Sequence, residues 1–183
     1  DPYLAGLALL RQASDMSKMQ EAEQQFADAI AISPSFARAH AGMCMLGVRL
    51  YRKTQDPAHV IRAEDSCRRA LELDPTLLET EKGLAALYLA SGRLEESEAI
   101  YRRLVKRYPG DADGHMGLGQ VLEAAGRPEE AESSLRAAIQ AEPAFWGAYA
   151  ALGGFLFQRG RVEEATEAFR EVTELAPGAN AFS

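Results

Sequence analysis

The sequence is poor in the residues that build covalent or metal-bound frameworks. Two cysteines and three histidines in 183 residues are too few for a disulfide scaffold or a cysteine-rich metal module. Long apolar runs are also missing: none approaches the roughly 18–20 residues that would span a bilayer, so no membrane insertion by this chain is expected. Positive charge is in deficit, with 20 Lys and Arg against 27 Asp and Glu and a formal net charge of −7. That balance argues against nucleic acid or an anionic membrane surface as the main partner, because both need clustered cations. What is present is of ordinary globular proportion, 47% hydrophobic and 26% charged, enough to fill a core and to argue against wholesale disorder. The length fits one domain or one short repeat array. The chain opens at Asp1 rather than at Met, which points to a piece of a longer or processed protein. A missing signal peptide therefore says little about compartment; a cytoplasmic location is favoured, and a periplasmic one stays open.

An internal period organises the chain. Ser91-Gly92-Arg93-Leu94-Glu95-Glu96 is echoed by Ala125-Gly126-Arg127-Pro128-Glu129-Glu130 and again by Arg159-Gly160-Arg161-Val162-Glu163-Glu164. The glycines Gly92, Gly126 and Gly160 are 34 residues apart, and so are the prolines Pro75, Pro109, Pro143 and Pro177. Pro34 precedes Pro75 by 41, which implies a seven-residue insertion in that unit. A fixed period of this length marks a stack of supersecondary units.

Each unit reads as helix, turn and second helix. Between Leu78 and Ala90 the apolar Leu84, Leu87 and Tyr88 fall on one helical stripe. Gly92 follows, where a helix end favours a residue that tolerates the left-handed conformation. The Glu pair then opens the next helix at the positive end of its dipole. Pro128 sits in a first turn, where its missing N–H costs nothing, and Asp56 before Pro57 reads as an N-cap. No strand is evident.

On these residues the chain resembles the tetratricopeptide repeat (TPR) family, whose unit is 34 residues with small and large residues at set positions and a closing proline. Counting position 1 three residues after each proline, the last three units start at Leu78, Ala112 and Trp146. Positions 7 and 8 then hold Leu84-Ala85, Leu118-Gly119 and Leu152-Gly153; position 20 holds Ser97, Ala131 and Ala165; position 24 holds Tyr101, Leu135 and Phe169. The first unit offers Ala22, Phe26 and Ala29 at positions 20, 24 and 27, and the second Ala63, Cys67 and Ala70, with its first helix or connection lengthened around Val48 to Gln55. The departures are at position 4, where Gly6, His40, Glu81, His115 and Tyr149 stand in place of the family's bulky apolar residue. The resemblance implies an all-α, right-handed α-solenoid of stacked helix-turn-helix hairpins. It implies one domain over residues 1–177, with units at about 3–36, 37–77, 78–111, 112–145 and 146–179, and a tail at 178–183. The run from Tyr3 to Leu10 and that from Phe36 to Gly42 are also similar to TPR regions of larger bacterial signalling proteins.

Candidate sites follow from the same register. Cys44 and Cys67 fall at interior positions 8 and 24 of one unit and are expected as reduced core thiols, since buried cysteine behaves as a small hydrophobe. His40 and His115 stand a whole unit apart and His59 has no companion, so no metal site is expected. No cofactor is expected either, because no phosphate-cradling loop follows a strand. Nothing assembles a nucleophile with a base, and catalysis is not expected. The family resemblance places ligand contacts on the concave face, which here carries Arg11, Arg38, Met45, Arg49, Lys82, Met116, Gln120 and Phe157. It implies a protein or peptide partner in that groove. The subclass that grips a terminal carboxylate needs asparagine, and the only one is Asn180 beyond the array. The last helix shows Phe169 and Val172, which offer a surface for self-association as a homodimer if nothing covers them.

Overall fold

The computed structural model describes residues 1–12 and 15–176, without the side chains of residues 11 and 12. Among them are ten helices and no strand: α1 (Pro2–Gln12), α2 (Met16–Ile32), α3 (Ala37–Thr54), α4 (Pro57–Leu73), α5 (Leu78–Ala90), α6 (Leu94–Arg107), α7 (Ala112–Ala124), α8 (Pro128–Ala141), α9 (Trp146–Gln158) and α10 (Val162–Leu175). The odd-numbered helices α5, α7 and α9 begin at the residues expected to open the repeats. The chain divides into two compact units, Asp1–Arg93 with α1 to α5 and Leu94–Ser183 with α6 to α10. Hairpins α1–α2 and α3–α4 belong to the first, and α7–α8 and α9–α10 to the second.

The local signals act as expected. Asp15, Asp56 and Asp111 cap α2, α4 and α7 by accepting from the backbone N–H of Lys18, Ala58 and Gly114, each relieving one of the orphan donors of a helix start. Gly92, Gly126 and Gly160 take φ of +78°, +73° and +72° and end the first helices of three repeats. Pro177 lies outside the described residues. The insertion is absorbed by both helices of the repeat: α3 has 18 residues where α5, α7 and α9 have 13, and α4 has 17 where α6, α8 and α10 have 14. Helix α3 stops at Gln55, whose φ is +56°, a conformation the later repeats give to glycine.

The core of the first unit gathers Leu10, Met19, Ala22, Phe26, Leu46 and Leu50 from α1, α2 and α3. Phe26 explains one departure at position 4: a Cβ built on Gly6 would lie 2.8 Å from its ring, and one on Gly42 closer still. The aromatic of the second helix takes the space that a side chain at Gly6 would need. At His40 and His115 the same position closes the preceding turn. Each Nε2 lies 3.0 Å from a carbonyl oxygen, of Pro34 and of Pro109, so that nitrogen carries the proton.

The cysteines correct the reading of two free core thiols. Cys44 and Cys67 are joined in a disulfide with an S–S distance of 2.05 Å, and their Cα atoms are 4.8 Å apart. Positions 8 and 24 face each other across the α3–α4 hairpin, within bonding range, although 23 residues separate them in sequence. Neither sulfur-bearing residue is exposed.

Candidate binding surface

In the first unit a groove of about 320 Å³ opens along the first helices. Its walls are Tyr3 and Leu7 of α1, Ala41, Gly42 and Met45 of α3, and residues Thr76 to Thr80 leading into α5. Tyr3 is fixed by an edge-to-face contact with Phe36 at 4.9 Å, a favoured aromatic geometry. Arg38 lines the groove and is exposed. The carboxyl of Asp74 is held below its usual range, first by the hydroxyl and amide of Thr76 and, more weakly, by the charge of Arg38.

The other groove residues of this unit have different duties. Arg49 is exposed, yet its guanidinium donates to the Leu10 carbonyl at the end of α1, where a cation also meets the negative end of the helix dipole. Lys82 has only 12% of its side chain exposed and pairs with Glu79 at 2.8 Å. Arg11 is in α1, and its side chain is outside the described set. Arg38 and Met45 are therefore the two residues expected from sequence that the structure brings to one concavity.

In the second unit, Met116 packs with Phe145 against Ala112, Ala138 and Ala148 and works inside the repeat contact. Gln120 is exposed on α7 and Phe157 is 61% exposed on α9. Phe157 follows Gly154, above which there is open space, and α9 carries no charged residue from Trp146 to Gln158. On α10, Val172 is fully buried and Phe169 lies against Gly153, whose built Cβ would be 2.8 Å from the ring. Phe169 is half-buried there. The exposed large apolar residues of α10 are Val162 and Leu175.

A ladder of ion pairs is not apparent from the sequence reading, although its period is written there. Glu64 accepts from Arg93 at 2.8 Å, from Arg68 at 2.6 Å and from the Tyr88 hydroxyl at 2.8 Å. One repeat later, Glu98 accepts from Arg127 and Arg102, both at 2.7 Å. Another repeat on, Glu132 accepts from Arg161 at 2.6 Å and Arg136 at 2.7 Å. Burial by itself would push the carboxyl of Glu64 up, but the hydrogen bonds from Tyr88 and Arg93 outweigh it and hold it low. In Glu98 burial again pushes upward and is outweighed, here by Arg102 and Arg127, and Glu132 is lowered chiefly by Arg161. The glycine-arginine pairs are more than turn signals: the arginine of each also reaches back to the preceding repeat.

Among the described residues no three of His, Cys, Asp and Glu are placed to hold a metal ion, and no described helix is long and apolar enough to cross a membrane. Two family models match, both described as tetratricopeptide repeat, over residues 83–144 and 122–183. Together they span more than half of the chain. Among solved structures, a thermophilic TPR protein of Thermus thermophilus is similar with 21% identity, over 96% of this chain and 92% of that one, with a TM-score of 0.80. PilF of Pseudomonas aeruginosa is similar with 18% identity, over 98% of this chain and 76% of that one, at a TM-score of 0.74. MamA of Desulfovibrio magneticus, from residue 41 to its end, has 16% identity over 98% of each chain and a TM-score of 0.68. No curated protein matches the chain.

Proposed function

We propose, from the premise that this chain belongs to the tetratricopeptide repeat family, that it is a non-catalytic scaffold which holds a segment of a protein partner in the groove of its first unit. TPR arrays are in general protein-interaction modules. The observation that carries the finer reading is the groove itself: apolar walls from Tyr3, Leu7 and Met45, with the guanidinium of Arg38 at the same concavity. Such a surface suits an extended or helical segment with an apolar anchor next to a carboxylate. The anchor would supply affinity through area removed from water, and Arg38 would supply register and selectivity.

Selection from a displayed peptide library tests this. Peptides enriched on the wild-type chain should pair an apolar anchor with an acidic residue. Arg38→Glu should weaken them about 5- to 10-fold, the range of one reversed charge pair at a rim. Ala41→Gln, which fills the groove without cutting into the core, should weaken them further. Enriched peptides that bind both variants as well as wild type would remove the groove from the reading.

A further inference from the structure

We infer that this chain folds and works in an oxidising compartment, where the Cys44–Cys67 disulfide takes over a packing contact that other repeats make with a large side chain. The groove reading does not depend on this. Positions 8 and 24 meet across the hairpins of the fourth and fifth repeats. In the fourth repeat Leu135 lies over Gly119, and in the fifth Phe169 lies over Gly153, with built Cβ distances of 2.7 and 2.8 Å. In the second repeat the same two positions hold Cys44 and Cys67. Both are small, and no large residue fills the contact between them. The covalent bond does.

The surroundings are shaped for the bonded pair. On α3, Gly47 approaches α4 so closely that a built Cβ would lie 2.5 Å from that of Ala63. From α5, Gly83 leaves its built Cβ 3.3 Å from the sulfur of Cys44. The hairpin is drawn tight on one side and α5 closes over the sulfur on another, and neither cysteine has any exposed surface. A reductant or a second thiol reaches them only when the hairpin opens, because exchange requires access to a sulfur. A regulatory redox pair needs an accessible thiolate; this one is enclosed and behaves as a structural bond. The bond also uses every cysteine in the sequence, so none is left to shuffle.

Structural disulfides persist in periplasmic, secreted and surface proteins, while the cytosolic thiol pool keeps such pairs reduced. Forming this one removes two electrons and two protons from the thiol pair. They pass to a protein disulfide of the thiol-oxidase class, which leaves as a dithiol. One cysteine thiolate attacks that disulfide and the second displaces the reduced oxidant from the mixed disulfide.

The test uses the protein in its own cells. Cells are quenched in acid, fractionated, denatured and treated with a mass-tagged maleimide before and after reduction. The expected result is a chain outside the cytosolic fraction that takes no tag before reduction and two after it. One or two tags at quench, or an oxidised chain in the cytosol, would overturn the inference. The purified chain adds a second reading. Reduction of the denatured protein followed by refolding should lower its melting temperature by about 10 °C, as expected for a closed loop of this length in a chain of this size. A reduced chain that melts within about 2 °C of the oxidised one would show that the bond is not the packing element claimed for it.

Discussion

Gln55 holds a left-handed backbone where the later repeats use Gly92, Gly126 and Gly160. For a residue with a Cβ that conformation costs roughly 1 kcal/mol. Its side-chain bond to the Arg52 carbonyl at 3.2 Å is exposed and weak. Gln55→Gly should therefore stabilise the chain by about 0.5–1 kcal/mol, net of the extra freedom glycine has when unfolded. Gly126→Gln should destabilise it by about 1 kcal/mol for the same reason. Urea denaturation of the two variants checks both signs. Arg49 poses a second question at this scale, because sequence places it in the groove and the structure hands its guanidinium to the end of α1. Arg49→Ala should leave selected peptides bound as tightly as before while amide exchange in α1 quickens several-fold, the sign of a helix end whose last carbonyls have lost a donor.

The elements are joined by the repeating carboxylates. In the first unit Glu23 meets Arg62 at 3.4 Å and Glu64 meets Arg93; in the second, Glu98 meets Arg127 and Glu132 meets Arg161. In the fifth repeat the corresponding position is Thr166, whose hydroxyl turns back to the Val162 carbonyl of its own helix. Isolated surface pairs contribute little, but Glu64, Glu98 and Glu132 are each mostly buried and each hold two arginines. Their carboxyls lie below the ordinary glutamate value in the folded chain. A lowered folded value means stability that is complete above the unfolded value and is lost as pH falls through the folded one. The melting temperature should thus be steady at neutral pH and fall below about pH 4.5. Glu64→Gln with Glu98→Gln and Glu132→Gln should be less stable at pH 7, by about 1 kcal/mol for each link lost, and melt lower. Its acid slope should be shallower, and the two melting curves should converge once the pH has fallen through the lowered folded values. A variant that parallels wild type across the whole range would mean the ladder is ornament. Much of this level was legible: α5, α7 and α9 begin at the residues the proline count gives, and the turn glycines take the conformation expected of them. The ladder was legible in principle, since Glu64, Glu98 and Glu132 share the period of the glycines. The disulfide was not, because only the three-dimensional facing of positions 8 and 24 shows that Cys44 and Cys67 meet.

At the scale of the whole molecule the open choice is between a chain that acts through its groove and one that acts by pairing with itself. Sequence alone could not separate these, since Phe169 and Val172 read as apolar residues on a terminal helix whether or not the preceding helix covers them. In the structure Val172 has no exposed surface, and Phe169, half-buried, rests on Gly153 of α9. What α10 leaves outside is Val162 and Leu175, at its two ends and separated by several turns. Single exposed apolar residues are normal on monomers, and association calls for a contiguous patch. A net charge of −7 adds mutual repulsion between copies. Light scattering across a concentration series should therefore give the 19.9 kDa mass of one chain. Val162→Lys with Leu175→Lys should give the same mass and the same melting temperature, because neither side chain is part of the packed interior. Val172→Asp should instead collapse the α9–α10 hairpin, by more than about 3 kcal/mol, since it places a charge where no water reaches. A dimer in the wild type that dissociates in the Val162/Leu175 variant would make self-association the function to pursue. A monomer throughout leaves the groove beside Arg38 as the surface through which this chain meets its partner.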